Sequence, residues 1–270
     1  MADSRPRGRP RAFHDKTEQN TVQSLDRALS ILAVLASGGG MTLTELAEAA
    51  GQSPATVYRV LITFQNHGFV ELEAEAQRWH VGAGAFRTGS VFLRRTALVD
   101  RARGAMQKLM RESGETANLG VEDRDEVLFL TQVETHEAIR AFFPPGTRSP
   151  MHVSGIGKAL LAFSPRERLR ELSARGLKGF TPASLTELGV LDADLQATNV
   201  RGYAIDNEER TEGMRCIAAP IFNAHGEPVA GLSISGPVFR LSLERADEMG
   251  ALVKRAAQSV TEATGGRMPG

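Results

Sequence analysis

The sequence predicts an α+β protein with an N-terminal winged helix-turn-helix and, behind it, a strand-rich domain with an antiparallel sheet. Three observations predict this. Two capped helices joined by a glycine turn precede a short hairpin pattern between residues 42 and 82. Beyond Ser113 the hydrophobic period changes from helical to alternating. The length of 270 residues suits two domains.

The first segment, residues 1–20, reads as a disordered basic arm, with Arg5, Arg7, Arg9, Arg11 and Lys16 interrupted by proline and glycine. Arg7 and Arg9 flank Gly8, an extended pattern that suits a narrow minor groove, or equally a solvated tail. The winged helix-turn-helix is expected over 21–82. Its first helix spans Val22 to Ala36, with Val22, Leu25, Leu29 and Leu32 as the apolar stripe, and Gly38–Gly40 ends it. Thr42 and Glu45 form a capping box for a short helix that stops at Gly51. Ser53 and Pro54 then supply the N-cap and first turn of a third helix, with Val57, Leu61 and Phe64 facing inward.

That third helix is the recognition candidate. Ser53, Ala55, Thr56, Tyr58, Arg59 and Thr63 lie on its outer face, and no acidic residue occurs between Gly51 and Val70. A carboxylate there would oppose phosphates, whereas small and hydroxylated side chains approach base edges and arginine pairs with guanine or phosphate. Phe69–Leu72 and Arg78–Val81 alternate as the two strands of the wing, and Arg78 joins the expected DNA contacts. The competing reading is a three-helix unit used for protein contacts.

Gly82 to Ser113 reads as helical and rich in arginine, with a linker helix assigned to 83–98. The second domain is assigned to 99–265, and 266–270 to a flexible tail. Its strands are expected at 118–122, 126–134, 138–143, 203–206, 217–222 and 229–235, and its helices at 155–163, 165–174, 191–201 and from about Leu243 to Val260. Net charge is zero, so no overall charge announces a nucleic-acid or membrane partner. No run of eighteen apolar residues and no apolar leader occurs, and Cys216 is the only cysteine, which fits a reducing cytoplasm.

Catalytic patterns fail one by one. Gly157-Lys158 resembles a phosphate loop, but His152 stands at the first glycine position and Ala159 replaces the magnesium-binding hydroxyl. Gly231–Ser235 lacks the last glycine of a nucleophile elbow. The six histidines show no zinc spacing, so neither a metal nor another cofactor is expected. Cys216 reads more readily as a buried wall than as a nucleophile, so the chain is not expected to be an enzyme. The same region suits a small anion. Ser154 can cap a helix whose Gly155 and Ile156 amides point outward. Ser233 and Ser235 share one strand face, with Asp206 and Cys216 on neighbouring candidate strands. No Arg or Lys is placed in this constellation, and Lys158 is expected to face solvent or another subunit. The serines could instead serve only the backbone, and Gly155 only a turn.

Three blocks in order, TLTELAEAAGQSPATVYRVLITFQNHGFVE, SPMHVSGIGKALLAF, and RGYAIDNEERTEGMRCIAAPIF with GEPVAGLSISGP, resemble the IclR family of bacterial transcription regulators. The resemblance runs from about Thr21 to Gly265 and implies a winged helix-turn-helix, a linker helix and a GAF-like effector domain, in dimers or dimers of dimers on palindromic double-stranded operators. The last block looks most like the acetate-operon repressor branch, whose effectors are glyoxylate and pyruvate. The resemblance carries effector contacts onto Gly155, Ile156, Asp206, Cys216, Ser233 and Ser235, and pocket walls onto Ala138, Ala141, Ser149 and Met214. Some of these wall positions are larger and apolar in that branch, so Ile139, Phe142 or Phe143 would have to compensate here. The implied protein is a cytoplasmic regulator, without a membrane partner, that responds to a small 2-oxo acid such as glyoxylate in C2 metabolism. Pyruvate or a larger aromatic or sugar-derived acid remains the alternative effector.

Overall fold

A computed structural model describes residues 21–96 and 98–269. The chain divides into two compact units between Phe92 and Leu93.

In the first unit, α1 (Gln23–Ser37), α2 (Leu43–Ala49) and α3 (Pro54–Asn66) pack with the hairpin β1 (Val70–Glu73) and β2 (Arg78–Val81). The capping box forms in full. The Glu45 amide donates to Thr42 Oγ1, and the Thr42 amide donates to Glu45 Oε2 at 2.8 Å. Ser53 Oγ likewise accepts from the Thr56 amide, with Pro54 in the first turn. Ile31, Leu35, Leu46, Val57, Leu61, Val70 and Trp79 form the core. The stripe expected on α1 is corrected. Val22, Leu25 and Leu29 are 64%, 55% and 53% exposed, Leu32 packs half-buried against the core as expected, and the fully buried positions are Ile31 and Leu35. Helix α4 (Ala83–Thr96) follows the wing.

The second unit, from Leu93 on, carries α5 (Leu98–Ser113). Its sheet has the order β5-β4-β3-β8-β7-β6, every pairing antiparallel: β3 (Thr116–Asp123), β4 (Glu126–Val133), β5 (Arg148–Pro150), β6 (Ala204–Asn207), β7 (Met214–Phe222) and β8 (Pro228–Pro237). The α5 helix and the last helix, α9 (Ala246–Ala263), cover one face through Met106, Leu109, Met249, Val253 and Val260. On the other face sit α6 (Gly155–Leu161), α7 (Arg166–Ala174) and α8 (Leu188–Arg201). The α6 helix approaches so closely that a Cβ on Gly231 would stand 2.6 Å from Ile156 Cγ2.

The strand expected at 138–143 does not form. That segment spends its polar groups on side chains instead: Arg140 pairs with Glu134, and the Phe143 amide donates to Gln132 Oε1. The short edge strand β5 takes its place beside β4. Among the described residues no helix is long and apolar enough to cross a membrane, and no cluster of metal-ligating side chains occurs.

Candidate DNA-contact face and effector pocket

In the first unit, the cap of α3 fixes what the helix presents. Ser53, Ala55, Tyr58, Arg59 and Thr63 are exposed, and Thr56 is half-buried. The Ser53 and Thr56 hydroxyls lie 2.9 Å apart, and Thr63 Oγ1 donates to the Arg59 carbonyl, so these hydroxyls are already partly engaged along the helix. Arg27 of α1, which the sequence reading missed, lines an open groove with Thr56, Tyr58 and Arg59. Arg78 departs from expectation. Its guanidinium donates to the Gly40 carbonyl at 2.7 Å and pairs with Glu45 at 3.3 Å, tying the wing to α2 instead of standing free for phosphate. Arg7 and Arg9 lie outside the described residues.

In the second unit, register assembles the pocket. Asp206 pairs with Cys216, and Cys216 with Ser235, so three polar side chains form one row across β6, β7 and β8. The next row on the same face is Ala204, Ala218, Ser233 and Asn118. The start of α6 sits over the first row, because Gly155 has no side chain where a Cβ would meet Cys216 Sγ at 2.8 Å. Ser154 is the N-cap of α6, its Oγ accepting from the Gly157 amide.

A cavity of about 40 Å³ is lined by Ser154, Gly155, Asp206, Cys216 and Ser235, with Ser149, Met214 and Phe143 among its walls. That space is a few times the ~10–15 Å³ that one water needs, a size for a two- or three-carbon acid. Two expected wall residues are corrected. Ala138 is exposed and Ala141, though buried, does not reach the cavity, because segment 138–143 runs as a loop. Phe143 stacks on Phe129 with ring centroids 4.9 Å apart and closes the wall that the alanines leave open, while Ile139 and Phe142 are 61% exposed. Ser233 and the Ile156 side chain lie behind the lining. Ser233 sits in the second row, and Ile156 packs on Gly231.

The expectation of a site without cations is also corrected by Arg210, which lines the cavity and whose charge acts on Asp206, while Arg215, next to Cys216 on β7, sends its side chain to the other sheet face. The buried Arg215 guanidinium donates to the neutral oxygens of Asn207 Oδ1 and the Leu241 carbonyl. Arg210 stacks on Phe180 with its guanidinium 4.0 Å from the ring centroid. Lys158 is wholly buried, contrary to the solvent-facing reading. Its Nζ donates to the Ile205 carbonyl at 2.5 Å and pairs with Glu209 at 2.5 Å and Asp194 at 2.9 Å. The lysine therefore ties α6 to β6, α8 and the loop after Asp206.

Burial lifts Asp206 to about 6 despite the nearby Lys158 charge and the Glu209 amide at 2.9 Å. Burial likewise lifts Glu209 to about 7. Burial and the Asp206 charge push the Cys216 thiol up to about 11. A thiol that stays protonated at neutral pH is a poor nucleophile. The arrangement can hold a small polar anion and offers no activated group for turnover.

Comparison with known proteins agrees with this division. The profile of the IclR helix-turn-helix domain matches residues 24–74, and that of the C-terminal region of bacterial IclR regulators matches 91–262. The chain is 51% identical to the HTH-type transcriptional regulator BhcR of Paracoccus denitrificans, over 95% of this chain and 92% of that one. It is 42% identical to the acetate operon repressor of Salmonella typhimurium, over 96% of each. The crystal structure of the Thermotoga maritima IclR superposes with a TM-score of 0.76 at 31% identity, over 91% of this chain and all of that one. These relatives are transcriptional regulators, not enzymes.

Proposed function

The chain belongs to the IclR family of bacterial DNA-binding transcriptional regulators, and from that premise we propose that a small 2-oxo acid, glyoxylate, modulates its hold on DNA. The observation that carries this is the size and chemistry of the cavity. The amides at the start of α6 and the Arg210 charge favour a carboxylate, and the Asp206–Cys216–Ser235 row offers hydrogen bonds to the oxo end. The name of one relative, the acetate operon repressor, supports two-carbon metabolism as the setting.

On the DNA side, α3 is the recognition helix, with Arg59 as its cation and Ser53, Ala55, Thr56, Tyr58 and Thr63 along the groove. Self-association on a palindromic operator, in the cytoplasm, completes the proposal. Val22, Leu25 and Leu29 on α1 are an apolar face available to a second copy. Ligand acts by binding the DNA-competent and incompetent arrangements unequally. Thermal unfolding of the intact protein across a panel of acids tests the effector. Stabilisation by glyoxylate is expected. Stabilisation by a larger acid, with none from glyoxylate, would overturn the assignment.

A further inference from the structure

One buried amide beneath the pocket has no place in the site as described. Asn118 on β3 is fully buried, directly opposite Ser233 and diagonal to Ser235. Its Nδ2 donates to Ser233 Oγ at 3.4 Å and to Ser235 Oγ at 3.2 Å. Its Oδ1 has no partner among the described residues. Turning the amide over would let Oδ1 accept from both serines but would strand two N–H donors instead of one acceptor, so the orientation found leaves fewer groups unpaired. A buried acceptor without a partner is unusual and calls for a compensating role.

The consequence lies in the hydroxyl protons. A serine oxygen that accepts from Asn118 directs its own proton elsewhere. Ser235 stands directly across from Cys216 in the first row and lines the cavity. We propose that Asn118 is a positioning residue of the effector site, whose amide ties Ser233 and Ser235 together and holds the Ser235 hydroxyl as a donor, toward Cys216 in the empty pocket and toward an acceptor oxygen of a bound acid. The proposal rests on the pocket reading above. It adds a residue that never touches ligand but sets the direction in which two hydroxyls point.

Asn118→Leu, close in size, removes both amide donors together with the unpaired Oδ1. The fold should therefore survive, while glyoxylate affinity measured by calorimetry falls about tenfold, the worth of one well-made hydrogen bond. In a Ser233→Ala/Ser235→Ala background the same substitution should cost nothing further, because its only route to the ligand is gone. Asn118→Val, which likewise removes both donors and suits a strand, should behave like the leucine variant and serves if that variant does not fold. Without ligand, the S–H stretching band of Cys216, the sole cysteine, should shift in infrared spectra of either variant. Unchanged affinity, or an equal loss in the serine-free background, would overturn the proposal, as would an unmoved S–H band. If the wild-type protein binds no small acid, the pocket reading fails, and the band alone then decides whether Asn118 aims the serines.

Discussion

Adding one methyl group at Gly155 should close the effector site. A Cβ at that position would sit 2.8 Å from Cys216 Sγ and 3.4 Å from Ala218 Cβ. Atoms do not approach so closely, so Gly155→Ala must push back either the thiol or the start of α6. Overpacking of this kind costs about 1–3 kcal/mol. The methyl also takes up space at the cavity itself, which both Gly155 and Cys216 line and which measures only about 40 Å³. If the whole strain falls on the bound state, glyoxylate affinity drops by about 5- to 150-fold, since 1.4 kcal/mol is tenfold. Calorimetry with glyoxylate reads that loss, and thermal unfolding reads the strain in the protein alone. Gly155→Ala/Cys216→Ala removes the sulfur from the contact and should recover most of the unfolding temperature. Wild-type glyoxylate affinity in Gly155→Ala would refute the placement of the acid between the helix end and the thiol.

Other substitutions probe the supports of each unit. Lys158→Met strands the buried Glu209 without its cation, leaves Asp194 only Arg201, and should cost about 3–5 kcal/mol, read as a fall of about 10 °C in the unfolding temperature of the second unit. Glyoxylate binding should weaken as pH rises above about 6, the value to which burial lifts Asp206. An anion beside Asp206 raises it further, so the bound pocket holds more protons than the free one, and affinity falls with rising pH. Calorimetry between pH 5.5 and 8 checks this, and Asp206→Asn should flatten the profile. Arg59→Ala should weaken operator binding by about 1–3 kcal/mol in fluorescence anisotropy. Arg78→Ala should instead lower the thermal stability of the first unit, because its partners are Gly40 and Glu45.

What was legible in the sequence was mostly local. The capping box at Thr42 and Glu45 and the Ser53-Pro54 start of α3 span three residues or fewer, so side chain and backbone partner are fixed together. The alternation of Ser233 and Ser235 placed both on one sheet face, and register alone then aligned Cys216 and Asp206 with Ser235. What failed depended on distant partners. Lys158 reads as a solvent-facing helix residue until Ile205 and Glu209, 47 and 51 positions away, fold over it. The apolar period of α1 identified a helix but not its buried side, because the rest of the unit decides which stripe it covers. Phe129 and Phe143 form the pocket wall through a loop whose composition resembled a strand. Asn118 carried no motif, and its role follows only from the pairing of β3 with β8.

The central claim is that a small 2-oxo acid in the second unit changes how the first unit holds DNA. Anisotropy of labelled DNA from upstream of the protein's own gene, titrated with intact protein at fixed salt with and without glyoxylate, tests it most directly. DNA affinity should change severalfold or more, with half the effect at the glyoxylate concentration that half-saturates the pocket in calorimetry. Full occupancy of the pocket with no change in DNA affinity would contradict it.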